Sequence, residues 1–307
     1  MDASNFNDAV LIVLGHGTVE NDNSAAPVRQ HAAELRRRKI FRDVREAFWK
    51  QEPQIKDVLA GISAPRIFIV PLFISEGYFA GQVIPRELGF GEHPIRLRSE
   101  ATARQASSPP SQCDGAGGIQ PAFAMLWRGG HSTLLYCHPV GTHDSMTDVI
   151  LARADEVVKK FPFPRTPKSS ETTLFLAGHG TEKDANSRKS IERQVELVRA
   201  KQIYADVRAI YLEESPRIPD CYLLAQTKNI IIVPFFISDG LHTQEDIPVL
   251  LGETKKNVEQ RLAAGQPTWR NPTEKNGKLV WYSPAVGSAP ELAGVILERV
   301  GEAIENL

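Results

Sequence analysis

Apolar runs recur along the chain in the same arrangement in each half. Val10–Leu14 and Leu174–Ala177 both end in Gly-His-Gly, and Arg66–Leu72 and Asn229–Phe235 are longer apolar runs further along. Uninterrupted runs of this length predict strands that are buried on both faces. Helix-like segments separate them, and a final strand and helix are expected to close each unit. Strands that alternate with helices predict an α/β fold with a parallel sheet flanked by helices.

The second half of the chain repeats the first. Residues 9–88 align with residues 172–251 without a gap at an offset of 163, and 26 of the 80 pairs are identical. This period is too long for a solenoid, so it predicts the duplication of a whole domain. We predict domains at 1–160 and 171–307, joined by the Pro-rich linker Phe161–Glu171. The first domain carries a low-complexity insert at 92–132.

Composition and charge exclude several classes of protein. The chain has 307 residues and a formal net charge of −1, so no global basic field attracts nucleic acid. No apolar run is long enough to span a bilayer, and the polar start MDASNFND is unlike a signal peptide. Cys113, Cys137 and Cys221 form no CxxC pair, which argues against disulfides, an iron–sulfur cluster or structural zinc. We therefore expect a cytoplasmic protein without nucleic-acid or membrane partners.

Three residues of the second half are candidates for metal chemistry. His179 lies in the GHGT after the first strand, Glu213 follows the second strand, and His242 lies in SDGLHTQEDIP after the third. In parallel sheets, ligands bind beyond the carboxyl ends of the strands, so these side chains should share one rim. Two imidazoles and a carboxylate suit a divalent transition metal and leave coordination positions open. Histidines there also suit proton transfer near neutral pH.

Each of these residues has an ordinary explanation when it is taken alone. A histidine in a glycine turn is more often a hydrogen-bonding loop residue, and Glu213 could be a surface charge at a helix start. Their joint placement is what favours the metal hypothesis. In the first half only His16 persists, because Lys50 replaces the glutamate and Phe79 replaces the second histidine. That half should therefore not hold a metal in the same way.

The motifs together resemble the class II tetrapyrrole chelatases. GHGT after a strand, an acidic residue after the second strand and IIVPFFISDGLHTQEDIP are similar to the sirohydrochlorin cobaltochelatase and ferrochelatase family in its long, two-repeat form. The resemblance covers roughly residues 9–90 and 172–300, but not the insert. It implies two tandem flavodoxin-like (chelatase-like) domains that face each other across a cleft.

The resemblance also implies a reaction and roles for residues. The reaction is insertion of Co²⁺ or Fe²⁺, with Ni²⁺ as a further option, into sirohydrochlorin, a flat macrocycle rimmed with carboxylates. The metal is a substrate, and no permanently bound cofactor is expected. His179, Glu213 and His242 match the metal and proton-handling positions, and His16 matches the first of them on the other wall of the cleft. A fused repeat supplies its own pairing, so a monomer is expected.

Basic residues near the second site are candidates for binding an acidic substrate. Lys183 and Arg188 follow the second GHGT closely, and charge-assisted hydrogen bonds to carboxylates are among the strong ones.

Three other functions stay open at this point. A non-catalytic tetrapyrrole or metal carrier would explain why one half has lost its ligands. A histidine-nucleophile phosphatase would need an arginine before the histidine, where this chain has Gly15 and Gly178. A pair of packing modules would not explain why His242 sits in a retained motif.

Overall fold

The computed structural model describes residues 6–18, 24–89, 95–96, 125–129, 132–180 and 185–305, and its strands form one sheet in each half. The strands of the first sheet are β1 (Ala9–Gly15), β2 (Asp43–Phe48), β3 (Arg66–Pro71), β4 (Ile95–Arg96), β5 (Met125–Gly129) and β6 (Ser132–Tyr136). The strands of the second sheet are β7 (Thr172–Gly178), β8 (Asp206–Tyr211), β9 (Asn229–Pro234), β10 (Thr273–Lys275) and β11 (Lys278–Tyr282).

Both sheets have a parallel centre, which confirms the predicted fold class. The parallel strands run in the order β2-β1-β3-β6 in one sheet and β8-β7-β9-β11 in the other. Antiparallel edge strands, β5 with β4 and β10, extend them and were not predicted. The β10–β11 hairpin turns at Asn276 and Gly277, both at positive φ. Asn-Gly is a strong hairpin signal, so this hairpin could have been predicted from the sequence.

The α-helices of the two halves correspond in pairs, except that the helix Lys255–Ala263 has no counterpart among the described residues of the first half. The longer α-helices are α1 (Ala26–Arg38), α4 (Met146–Lys160), α5 (Ala185–Ala200), α8 (Lys255–Ala263) and α9 (Leu292–Glu305). The short ones are α2 (Ile55–Ala60), α3 (Ile84–Glu87), α6 (Cys221–Leu224) and α7 (Ile247–Leu250). π-Helices at Phe79–Val83 and His242–Asp246 lead directly into α3 and α7. None of the described helices is long and apolar enough to cross a membrane.

The two sheets share one hydrophobic core. In β1, Leu11 and Val13 point into this shared core, whereas Ile12 and Leu14 belong to a separate outer core of the first half. β7 alternates in the same way, because side chains along a strand point to opposite faces. Apolar residues of α1, α4, α5 and α9 fill the shared core between the sheets. The halves are therefore joined by apolar packing as well as by the linker.

The closing helices are exchanged between the halves. α4, the last helix of the first half, packs against β9, β11 and α5, while α9 packs against β3 and α1. Each closing helix therefore covers the sheet of the opposite half. α4 and α9 carry similar apolar faces, so periodicity could not tell which sheet each helix would cover.

Two buried arginines fix this exchange symmetrically. Arg153 of α4 donates from Nε to the Ala285 carbonyl at 3.1 Å and from Nη2 to Ser288 Oγ at 2.8 Å. Arg299 of α9 donates from Nε to the Pro139 carbonyl at 3.1 Å. Each arginine therefore binds a backbone carbonyl in a turn of the opposite half and holds its helix on the sheet of that half.

Candidate active site

His179 comes directly after β7, where the glycine that follows it allows the chain to turn away from the second sheet. Gly180 has φ +60°, and a Cβ there would lie 2.7 Å from Tyr211 Cβ and from Glu214 Oε1. Glycine is the residue that adopts this backbone conformation without steric cost. The imidazole therefore stands half-exposed at the carboxyl end of β7, on the rim where the sequence predicts it.

Backbone hydrogen bonds bring Glu213 to the same place. The amides of Leu212 and Glu213 donate to the His179 carbonyl at 3.0 and 3.1 Å, which joins the loops after β7 and β8. Glu213 Oε2 consequently lies 3.7 Å from His179 Nδ1, and its carboxylate is largely exposed. The structure thus makes neighbours of two residues that are 34 positions apart in the chain.

His242 completes the group from the start of the π-helix. Its ring centroid lies 5.0 Å from that of His179, with the ring planes 87° apart. The Tyr282 hydroxyl donates to the Thr243 carbonyl at 2.6 Å and so anchors this helical turn to β11. π-Helical turns occur frequently at functional sites, and here the turn directs the second imidazole at the first.

Asp246 orients His242 and was missed by the sequence analysis. His242 Nδ1 lies 2.7 Å from Asp246 Oδ2. A carboxylate only accepts, so Nδ1–H is the donor, and in the neutral imidazole Nε2 carries the lone pair that can bind a metal. The signal was present in SDGLHTQEDIP, where the aspartate follows the histidine by four residues, a spacing that suits side-chain contact on a helix.

A cavity of about 390 Å³ opens onto these side chains. Its remaining lining residues are Leu212, Glu245, Asp246, Val249, Leu250, Lys255, Val258 and Glu259. Within the parts of the chain that the structure describes, no three His, Cys, Asp or Glu side chains converge closely enough to hold a metal ion as they stand. Because metal–ligand bonds are about 2 Å long, the His179, Glu213 and His242 side chains would have to rotate toward an arriving ion. This arrangement differs from a closed structural metal site.

Arg188 is already engaged by neighbouring groups. Its guanidinium donates to Glu192 Oε1 at 2.7 Å and to Glu214 Oε2 at 3.1 Å, and these bonds raise the arginine pKa. It also lies 5.1 Å from the centroid of the Tyr211 ring. These contacts hold the start of α5 against the end of β8. Substrate binding by Arg188 stays a prediction, and Lys183 lies outside the described residues.

The first half keeps the geometry of the site but only one of the three predicted ligands, His16. The rings of His16 and Phe79 lie 5.2 Å apart at 82°, nearly the arrangement of the two histidines. The Lys50 amide donates to the His16 carbonyl at 2.8 Å, and Lys50 Nζ lies 5.5 Å from the Phe79 centroid. Burial lowers the pKa of His16, and the nearby Lys50 charge lowers it further.

Comparison with known families finds the same family in both halves of the chain. The CbiX family model matches residues 10–157 and again residues 173–303. The chain belongs to the CbiX family. A probable sirohydrochlorin cobaltochelatase of Halobacterium salinarum is 37% identical over 294 residues, which cover 95% of this chain and 91% of the relative. The predicted family and the predicted two-repeat form are confirmed.

Solved structures show the same fold. DR2241 of Deinococcus radiodurans, a multi-domain protein with structural similarity to chelatases, matches 95% of this chain with a TM-score of 0.69 and 23% identity. The chain spans about half of that protein, 54% of its length. SirB from Bacillus subtilis with Fe³⁺ matches 96% of this chain and 95% of its own, with a TM-score of 0.61 and 16% identity.

Proposed function

We propose that this protein inserts a divalent metal ion, Co²⁺ or Fe²⁺, into sirohydrochlorin in cobalamin or sirohaem biosynthesis. The observation that carries the proposal is the contact between His179 and His242 beside the Glu213 carboxylate, in a chain of the CbiX family. The name of the H. salinarum relative, which shares nearly the full length of this chain, gives the substrate and favours cobalt.

The chemistry of the reaction fits these side chains. Insertion replaces the two pyrrole N–H protons of the macrocycle with one M²⁺, so two protons leave for each ion that enters. Neutral imidazoles can bind the ion and then, once it has moved to the ring, accept the released protons. We assign metal binding and the acceptance of the pyrrole protons to His179 and His242. Glu213 is assigned the steering of the ion and the onward transfer of the protons. Asp246 acts through His242 as a positioning residue.

The metal itself is not selected by this donor set. Co²⁺, Fe²⁺ and Ni²⁺ share a preference for imidazole and carboxylate ligands, and their intrinsic affinities follow one order at any such site. Relative insertion rates therefore have to be measured for each ion with the same protein.

The test is a spectroscopic insertion assay with metal-free sirohydrochlorin and one metal at a time. We expect His179→Ala and His242→Ala to lower the rate by at least about 10²-fold, the lower end of the range for losing a positioned acid–base group. Leu250→Ala is the matched control, since Leu250 lines the same cavity, is 37% exposed and carries no ligand atom. A His242→Ala protein that inserts metal at the wild-type rate would contradict the assignment.

A second candidate function is a non-catalytic carrier of tetrapyrrole or metal. The observation that favours it is the loss of ligands in the first half, where Phe79 and Lys50 stand beside His16. Many turnovers per protein molecule in the same assay would exclude this candidate, and a single stoichiometric event would support it.

The predicted monomeric state and cytoplasmic location belong to this proposal as well. The exchanged closing helices support the monomer, because they satisfy inside one chain the pairing that a separate half would need from a partner.

A further inference from the structure

The first half presents exposed aromatic side chains where the second half has its metal site. Tyr78 is 59% exposed and Phe79 is 37% exposed, and their ring centroids lie 5.7 Å apart. Tyr78 immediately precedes the π-helix of the first half, and Phe79 is its first residue. The corresponding residues of the second half are Leu241 and His242. Large apolar groups that stay exposed together at a site's edge commonly mark a binding surface.

Lys50 adds a positive charge to these two rings. Its Nζ lies 5.5 Å from the Phe79 centroid, in the place that corresponds to Glu213 of the second half. Among the residues that the structure describes, no carboxylate pairs with this ammonium group. An ammonium repels a divalent cation and attracts a carboxylate, so the exchange of glutamate for lysine reverses the kind of ligand that this rim favours.

The segment that precedes the two rings contacts the second half of the chain. Asn186 Nδ2, in the first turn of α5, donates to the carbonyl of Glu76 at 3.1 Å. Glu76 lies two residues before Tyr78, and α5 follows the GHGT that contains His179. The segment before the two rings therefore contacts the helix that follows the second GHGT, an arrangement that favours a ligand large enough to span both halves.

We propose that Tyr78, Phe79 and Lys50 form a substrate-binding platform for the tetrapyrrole. Because the two ring planes are 68° apart, the macrocycle packs on the face of one ring and against the edge of the other, and Lys50 Nζ donates to one of its peripheral carboxylates. The inference rests on the proposed function, since it takes sirohydrochlorin as the ligand. The platform also gives a role to the first half, which lacks two of the three predicted metal ligands. It holds the macrocycle while His179 and His242 deliver the ion.

The platform acts on binding of the macrocycle, so its test needs no metal. Full-length protein is titrated with metal-free sirohydrochlorin, and binding is followed by the absorbance of the macrocycle. We expect Lys50→Met and Phe79→Ala each to raise Kd by about tenfold, the scale of one charge-assisted hydrogen bond or one lost stacking contact. Lys50→Arg should restore most of the affinity because it keeps a cationic donor.

Two controls separate this role from general effects. Lys56→Met removes a lysine of the same half that already pairs with Glu87 at 3.0 Å, and its Kd should stay within about twofold of wild type, as for surface pairs of little energetic consequence. In the insertion assay, the platform variants should raise KM while leaving kcat nearly unchanged, since they remove binding that ground state and transition state share.

The outcomes distinguish the platform from the proposed function. If Lys50→Met and Phe79→Ala bind sirohydrochlorin as wild type does, the platform is overturned while the insertion activity stands. If wild-type protein binds the macrocycle but inserts no metal, the titration still decides the platform and only the catalytic proposal fails. A wild-type protein that does not bind sirohydrochlorin would overturn both.

Discussion

Replacing Phe79 with histidine and Lys50 with glutamate should create in the first half a metal site like the one proposed for the second. The double substitution, Phe79→His with Lys50→Glu, would give His16 the same neighbours that His179 has. The rings of His16 and Phe79 already stand 5.2 Å apart at 82°, against 5.0 Å and 87° for the two histidines. The scaffold therefore needs no rearrangement, and only the chemistry of two side chains changes.

The size of the effect follows from the distance between the charge and the ring. Lys50 Nζ lies 5.5 Å from the Phe79 centroid, close to where an ion bound by the new histidine would sit. In water, unit charges at that distance interact by about 0.8 kcal/mol. Turning a positive charge into a negative one beside a divalent ion thus gains about 3 kcal/mol, or roughly 10²-fold in Kd.

One component of the native site would still be missing. The first half has Val83 where the second half has Asp246, so the new histidine would lack an orienting carboxylate. Losing such a partner typically weakens metal binding by about 10- to 100-fold. The rebuilt site should therefore bind Co²⁺ more weakly than the native one, but about 10²-fold more tightly than Phe79→His alone.

Equilibrium dialysis with Co²⁺ measures this directly when His242→Ala is present in every protein. That background removes a proposed ligand of the native site, so bound cobalt reports on the first half. Phe79→His with and without Lys50→Glu is the decisive pair. Equal Kd values for the two proteins would show that charge at Lys50 does not govern metal exclusion, and the electrostatic reasoning would be wrong.

Further predictions concern the junction of the halves. Arg299→Met should lower the free energy of unfolding by about 3 kcal/mol in a urea titration, because it removes two hydrogen bonds to the Pro139 carbonyl and the ion pair with Glu302; a loss under about 1 kcal/mol would contradict this. Burial alone would raise the pKa of Glu302, but hydrogen bonds from His143 and Arg299 lower it to about 2. Its stabilisation is therefore present above the ordinary carboxyl pKa of 4.5 and lost as pH falls from there toward 2. Glu302→Gln should cost about 1–2 kcal/mol at pH 7, allowing for solvent screening, and nothing near pH 2; a cost independent of pH would refute the assignment. Gly287→Ala should impair folding because its Cβ would lie 1.8 Å from a carbonyl oxygen, whereas Gly294→Ala, with open space in α9, should stabilise by up to about 1 kcal/mol; circular dichroism melting curves compare the two.

Much of the candidate site could be predicted because its residues stand next to strong local signals. His179 and His242 follow apolar strands, and strand ends in a parallel sheet meet on one rim. The contact of Arg188 with Glu214 was harder to foresee, because it depends on how α5 packs against the end of β8. Asp246 was foreseeable from its spacing but was not recognised.

The sequence by itself determined the duplication, the α/β class, the family and the asymmetry between the halves. These properties follow from the hydrophobic periodicity of the chain and from the alignment of its two halves, in which Lys50 corresponds to Glu213. Neither requires knowledge of contacts between distant segments. The tertiary structure alone decided that α4 and α9 cover the opposite sheets and that Asn186 joins the segment before Tyr78 to the start of α5. Both features depend on contacts between distant segments with interchangeable apolar faces, and such contacts are selected by packing and buried hydrogen bonds rather than by any local pattern.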